Sequence, residues 1–431
     1  MNHRSPWTKI ICMPLWISLA GSSLQAEFLF SECVFYEIGT GSGPLAIGDF
    51  DGDGDPDVVI GNVNFGTLSL FRNDGGGGLS APVHFPAGTS IVALFAEDWD
   101  GDGDLDLAFA DEDFFEKSIA MALNDGKGDF RFGERAKLFA VADHPHLHLR
   151  GLIGADLDRD GLPDAALACE SSQFVSDAFG LVAFNSGEGS FGEVSRFSIG
   201  PIGLSGPGNL IFGDFTGDGL EDLAFGNRTT ELALFEAIPN GSIRSVSSAL
   251  TLPQAPACLL SGDLDSNGEE DLVMTTGLGG QAWVVFFDSG AGSTRAEQVA
   301  TGAARPGTPA LVDFDGDGDL DLAVTESILF PNLGKPSVFL AENDGAGNFT
   351  SGLKLEFGEF PGIPEWMGAA DLDGDGDQDL LVSDRIEGKL GIYFNQIIPP
   401  TIRSADLDNN GAVNLWDLLE IEKTWFTETG P

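Results

Sequence analysis

Basic residues are scarce in this chain. Its 431 residues carry 21 Lys+Arg against 68 Asp+Glu, a formal net charge of −47. Such a surface repels polyanions, which makes nucleic acid and anionic membranes poor partners. Cysteine is also scarce: four in all, with only Cys33, Cys169 and Cys258 beyond the first 26 residues. They are odd in number and lie in apolar, strand-like contexts, so buried free thiols are expected rather than a disulfide framework. No apolar run after the N-terminus approaches the length of a membrane span. No Ser/His/Asp order, Cys/His pairing or phosphate-cradling glycine loop stands out, and turns account for the glycines.

What the chain has is a repeat. Asp49-Phe-Asp-Gly-Asp-Gly-Asp-Pro-Asp57 places acidic residues at loop positions 1, 3, 5 and 9 and glycine at position 6. The frame returns at Asp98–Asp106, Asp156–Asp164, Asp214–Asp222, Asp263–Asp271, Asp313–Asp321 and Asp371–Asp379. Successive starts are 49, 58, 58, 49, 50 and 58 residues apart, close to the period of propeller blades. Calcium takes six to eight oxygens in irregular geometry, so carboxylates on alternate residues of a tight loop suit it. The glycine permits a reversal that a side chain obstructs.

Seven ligand sets follow. Positions 1, 3, 5 and 9 are Asp49, Asp51, Asp53 and Asp57 in the first loop, and Asp98, Asp100, Asp102 and Asp106 in the second. They are Asp156, Asp158, Asp160 and Asp164 in the third, then Asp214, Thr216, Asp218 and Asp222 in the fourth. The fifth has Asp263, Asp265, Asn267 and Asp271; the sixth Asp313, Asp315, Asp317 and Asp321; the seventh Asp371, Asp373, Asp375 and Asp379. Position 7 varies: Asp55, Asp104, Leu162, Leu220, Glu269, Asp319 and Asp377. Leucine has no ligating side chain, so this position is read as a backbone-carbonyl ligand. Thr216 and Asn267 mark the fourth and fifth loops as the weakest. An acidic turn that binds nothing is the competing reading of any one loop. Seven in register, each entering a β-type run, weigh against it, and the ions are expected to staple hairpins.

Residues 1–26 have the layout of an export signal: Arg4 and Lys9, the apolar core Ile10–Ala20, and small residues before Glu27. The mature protein is then expected to be secreted and soluble, where millimolar calcium fills weak sites. From residue 27 to 398 the chain reads as one array. Each unit offers a short apolar strand, the acidic loop, two further strands, an Asn-Asp-Gly-x-Gly-x turn and an outer strand. In the first unit these are Leu45-Ala-Ile, Val58-Val-Ile, Leu68-Ser-Leu-Phe and the turn Asn73–Leu79. The turn recurs at Asn124–Phe130, Asn185–Phe191 and Asn343–Phe349. Its glycines admit positive φ, and its final Phe or Leu can pack between blades. Four short strands per unit predict an all-β, seven-bladed propeller. The seventh unit stops at Gln396 without an outer strand, and Phe28–Ile38 precedes the first loop without a blade; that segment is expected to complete blade seven.

Asp-x-Asp-x-Asp-Gly-x-x-Asp between strands, followed by Asn-Asp-Gly-x-Gly-x-Phe, resembles the FG-GAP/VCBS repeats of integrin α-chain propellers and many secreted bacterial proteins. The resemblance covers about six-sevenths of the chain. It implies calcium loops on one face and a binding face opposite, formed by the inter-blade loops and the loops between second and third strands. It fixes no single function, since adhesion modules, calcium-dependent lectins and accessory domains of polysaccharide-degrading enzymes all share it.

Residues 399–431 differ. Asp406, Asp408, Asn410 and Asn414 occupy positions 1, 3, 5 and 9 of a loop that looks like one dockerin or EF-hand repeat. Gly411 stands at position 6, Ala412 at the carbonyl position 7 and Asp417 at position 12. Leu415, Leu418, Leu419 and Ile421 give a short helix an apolar side. A dockerin ordinarily carries two repeats and engages a cohesin; with one repeat, a structural calcium clip is favoured over a cohesin-like partner.

Specific function is sought in the loops away from the acidic face. His144, His146 and His148 alternate, so on a strand they share a side, and three imidazoles can bind a transition metal; the plainer reading is hydrogen-bonded loop histidines. Phe65 with Asn62 and Asn64, Phe114 and Phe115 near Glu112 and Asp113, Gln281 with Trp283, and Glu365 with Trp366 suit sugar recognition, or mere packing. The reading adopted is a secreted calcium-binding propeller acting as a binding or adhesion module, with an extracellular glycan or protein as ligand. The alternative is a polysaccharide lyase or hydrolase using His146 as base and Arg150 to neutralise a uronate.

Overall fold

In the computed structural model, residues 30–396 are described apart from 40, 141–146, 172–177, 188, 201–209, 216–220, 227–229, 231, 239–241, 247–250, 277–279, 289–292, 327–334 and 358–363. Residues 1–29 and 397–431, and with them the export signal and the dockerin-like loop, lie outside the described residues, as do Thr216, Asp218, Leu220, His144 and His146.

The central strands carry the architecture. Asp57–Asn62, Asp271–Thr276, Asp321–Glu326 and Asp379–Asp384 are buried at every position. Their alternate side chains therefore face two different neighbours, and the strands read as continuous apolar runs. Val58 and Ile60 pack towards one adjacent sheet and Val59 towards the other. Each sheet needs a partner on both sides, and a closed ring supplies them.

Seven antiparallel sheets form that ring. From the inside outward, blade 1 is Ser42–Gly48, Asp57–Asn62, Thr67–Phe71 and Val83–Pro86. Blade 2 is Ile91–Glu97, Asp106–Glu112, Glu116–Leu123 and Ala136–Ala140, with Arg131–Phe132 also on the third strand. Blade 3 runs Leu147–Ala155, Asp164–Ser171, Ala178–Asn185 and Phe191–Gly200. Blade 4 is shortest: Leu210–Gly213, Asp222–Phe225, Ala233–Ile238 and Ser242–Ser245. Blade 5 has Cys258–Gly262, Asp271–Thr276, Gln281–Asp288 and Ser293–Val299. Blade 6 has Pro306–Val312, Asp321–Glu326, Ser337–Asn343 and Phe349–Glu356. Blade 7 takes Pro364–Ala370, Asp379–Asp384 and Lys389–Tyr393 from the end of the array and Val34–Glu37 from its start. The described residues contain no helix.

Closure follows the expectation. Val34 pairs with Ile392 and Glu37 with Lys389, antiparallel, and Phe30 bridges Asn395. Ser42 Oγ donates to the Asp384 carbonyl at 2.6 Å, and the Tyr36 hydroxyl accepts from Leu79 N–H at 3.2 Å, so blades 7 and 1 are also joined laterally. Seven apolar clusters, one per blade junction, replace a single core. The turn residues Leu79, Phe130, Phe191 and Phe349 each contribute to one. Cys33, Cys169 and Cys258 form no disulfide, and burial pushes Cys33 and Cys258 up to about 12.

Candidate functional site

Each acidic loop joins the first and second strands of its blade, so all of them lie on one face with the Asn-Asp-Gly turns. The position-1 aspartate organises the loop. Asp49 Oδ1 accepts from Gly52 N–H at 2.7 Å and Oδ2 from Gly54 N–H at 2.9 Å. Asp98, Asp313 and Asp371 do the same, while Asp156 and Asp263 take the position-5 and position-6 amides. Position 5 caps position 7: Asp53 Oδ1 accepts from Asp55 N–H at 3.0 Å, and Asn267 Oδ1 from Glu269 N–H at 2.7 Å. An amide oxygen serves as well as a carboxylate here, which explains the substitution in the fifth loop.

Glycine at position 6 answers to backbone conformation. Gly54, Gly103, Gly161, Gly268, Gly318 and Gly376 have φ between +88° and +99° and open space where a Cβ would stand. Position 4 is left-handed too, at Gly52, Gly101, Gly316 and Gly374 but also at Arg159 (φ 65°) and Ser266 (φ 56°).

Position 9 does more than close a loop. Asp57, fully buried, accepts from Phe50 N–H through Oδ2 (3.2 Å) and from Asn73 N–H through Oδ1 (2.8 Å). Asp106, Asp164, Asp321 and Asp379 repeat this pair of bonds, and Asp271 makes it with Leu264 and Phe287. Burial pushes Asp57 and Asp271 up to about 6, and Asp106, Asp164, Asp321 and Asp379 up to about 7. The position-2 side chains Phe50, Trp99, Leu157, Leu264, Phe314 and Leu372 are buried in the junction clusters.

The turn asparagines tie blades together. Asn73 Nδ2 donates to the Pro56 carbonyl of its own loop and to the Leu372 carbonyl of blade 7 at 2.8 Å. Asn124 reaches Phe50, Asn185 Trp99, Asn343 Leu264 and Asn395 Phe314, in each case the position-2 carbonyl of the preceding blade, at 2.7–2.9 Å. Blade 5 has Phe287 in that place, and the third strand of blade 4, Ala233–Ile238, carries no asparagine. The sequence carries the signals, Asp-(Phe/Trp/Leu)-Asp and Asn-Asp-Gly, but by themselves they mark only a loop and a turn.

The donor set fits a hard cation. Asp49, Asp51 and Asp53 offer oxygens within 4.8 Å of one another, as do positions 1, 3 and 9 of the second, third, fifth and sixth loops. Asp51, Asp265 and Asp373, all at position 3, each keep a buried Oδ1 that accepts no hydrogen bond. A buried oxygen without a donor costs free energy that a cation recovers. Asp51 Oδ2 meets Arg72 Nε at 3.0 Å, which leaves Oδ1 facing the loop. In the fourth loop Asp214 and Asp222 are described.

On the opposite face, Phe65 is 63% exposed and Phe114 and Phe115 are 86% and 82% exposed, all between second and third strands. Ile386 stands exposed at the same place in blade 7, where no sequence motif marks it. Asn62 is engaged by Thr67 and Ser69. Trp283 packs in the junction of blades 4 and 5 with its Nε1 on Gln281, and Glu365 pairs with Arg385 at 3.0 Å. Asp113 accepts from Phe115 N–H at 2.8 Å and shapes that tip. His148 Nδ1 lies 3.3 Å from Glu112 Oε2, whose other oxygen accepts from Leu149 N–H, so this histidine serves a contact between blades.

These features define a class: a seven-bladed propeller with acidic hairpin loops on one face. Comparison gives the family. The model for the FG-GAP-like repeat matches residues 49–109, 98–167, 156–225 and 263–324, together more than half of the chain. The chain belongs to the FG-GAP-like repeat proteins. Among solved structures it is similar to a chain of the crystal structure of BBS1N in complex with ARL6DN, soaked with mercury. The identity is 14%, the TM-score 0.53, and the match covers 88% of this chain and 98% of that one. The same complex soaked with lead gives 14% identity and a TM-score of 0.52 over 89% of this chain and 100% of that one. These likenesses carry the fold. No curated protein matches the chain.

Proposed function

We propose that the protein is a secreted, calcium-stapled propeller that presents a binding face to an extracellular glycan or protein. Calcium would be held by positions 1, 3 and 5, the carbonyl of position 7 and the carboxylate of position 9. The ion supplies the positive charge that these clustered carboxylates lack. The observation carrying this reading is the set of position-3 oxygens, Asp51, Asp265 and Asp373 Oδ1, buried and without a donor. On the far face, Phe65, Phe114 and Phe115 on adjacent blades offer exposed ring surface that can stack on a sugar or fill a protein pocket.

The test has two arms. Calorimetric titration of the EDTA-stripped chain with Ca2+ should show several sites, and Asp373→Ala should remove one. An array of glycans and extracellular proteins, probed with calcium present, should give ligands whose signal falls at least tenfold in a Phe114→Ala/Phe115→Ala variant. No heat in the titration sinks the calcium reading, and ligands insensitive to the double variant sink the assignment of the face.

A further inference from the structure

A cleft of about 550 Å3 opens at the rim between the outer strands of blades 6 and 7. Its walls bring together Lys335, Lys354 and Lys389, half of the six described lysines, in a chain of net charge −47. Lys335 lies 3.4 Å from Glu356 and Lys389 3.0 Å from Glu387, partly exposed pairs of the kind that contribute little stability. Lys354 sits 5.4 Å from the centre of the Phe339 ring. Tyr393 and Cys33 line the cleft, and Phe35 beside them is 40% exposed. The cleft thus sets three lysines against two glutamates, Glu32 and Glu356, beside apolar surface, an excess of positive charge on a molecule that is otherwise acidic.

The chain leaves the propeller beside it. Phe394 and Ser31 exchange hydrogen bonds at 2.8 and 3.1 Å, Asn395 bridges Phe30, and 35 residues follow Gln396. Those residues hold Asp406, Asp408, Asp417, Glu420, Glu422 and Glu428 against Arg403 and Lys423. Leu415, Trp416, Leu418 and Leu419 are interleaved with them. The spacer 397–404 spans up to about 28 Å when extended, enough to turn back over the rim.

We infer that residues 405–426 dock in this cleft, their carboxylates on Lys335, Lys354 and Lys389 and their apolar side chains on Phe35. A tethered segment binds at high effective concentration, so modest contacts suffice. Docking would strap the closing strand Val34–Glu37 in place, a role independent of the calcium loops and of the ligand face.

Zero-length carbodiimide cross-linking of the intact chain, mixed with a 15N-labelled copy and read by mass spectrometry, tests this. The Lys335–Glu356 and Lys389–Glu387 links serve as internal standards. The expected result is links from the three lysines to Asp417, Glu420 or Glu422 within one copy. A Lys335→Glu/Lys354→Glu/Lys389→Glu variant should speed amide exchange of 405–426 at least tenfold. Internal standards alone, tail links found only between differently labelled copies, or tail exchange that the variant leaves unchanged would each overturn the inference.

Discussion

At the scale of the residue, two loop positions and one turn residue hold the hairpins before any ion is considered. Asp at position 1 gathers the loop amides, Asp at position 9 binds the loop to the turn, and in five blades the turn asparagine binds that turn to the preceding blade. Removing Asn185 leaves the Trp99 and Pro163 carbonyls without their donor. Asn185→Ala should therefore cost about 2–6 kcal/mol, at 1–3 kcal/mol per orphaned group, as measured by denaturant unfolding. Gly54→Ala meets no neighbour but must hold φ +97°, and should cost about 1–2 kcal/mol by the same measurement. The position-9 carboxyls set the pH dependence of the metal-free chain. Their folded values of about 6 to 7 lie above the ordinary 3.8. The native state then takes up protons as pH falls from 7 towards 4, so stability in EDTA should rise on acidification and fall as pH rises through 6–7. Bound calcium displaces those protons, so with calcium present acidification should lower the melting temperature instead. Melting curves at pH 5 and pH 8, with calcium and with chelator, check both signs.

At the scale of the element, blade 4 is the weak sector. Its first, second and fourth strands have four residues each, and among the described residues asparagine bridges stand at five junctions, those of blades 7–1, 1–2, 2–3, 5–6 and 6–7. Hydrogen exchange should be fastest in the strands of blade 4 and slowest in Asp57–Asn62 and Asp379–Asp384; uniform protection would contradict this. The strands themselves were legible in the sequence. Doubly buried strands read as apolar runs, and the acidic loop marks where the first ends and the second begins. The closing strand was legible because the seventh unit lacks a partner for Gly391-Ile-Tyr-Phe. The asparagine bridge was not, because its acceptor belongs to the preceding blade and is placed only once the ring forms. Positive φ at position 4 was hidden because Arg159 and Ser266 adopt it under the constraint of the loop. Trp283 suited either a ligand platform or packing, since composition does not say which side of a strand meets its neighbour; it packs in a junction.

At the scale of the whole molecule, stability resides in seven junctions joined in a circle, so the ring depends on its seam. Deleting residues 30–38 strips the outer strand from blade 7 and the Tyr36 link to blade 1. The truncated chain should unfold in a broader, less cooperative transition than the intact chain. The −47 charge bears on the same scale: much of it lies in carboxylates on one face, and the proposed cation in each loop would offset part of the repulsion. Occupancy at a hundredfold excess over Kd contributes about 2.7 kcal/mol per site, so several sites outweigh any single side chain. Differential scanning calorimetry of the chain, stripped with EDTA and then restored with millimolar Ca2+, bears on this most directly. The prediction is a melting temperature that falls on stripping and returns in full on restoration. An unchanged melting curve, with no calcium bound on back-titration, would contradict it.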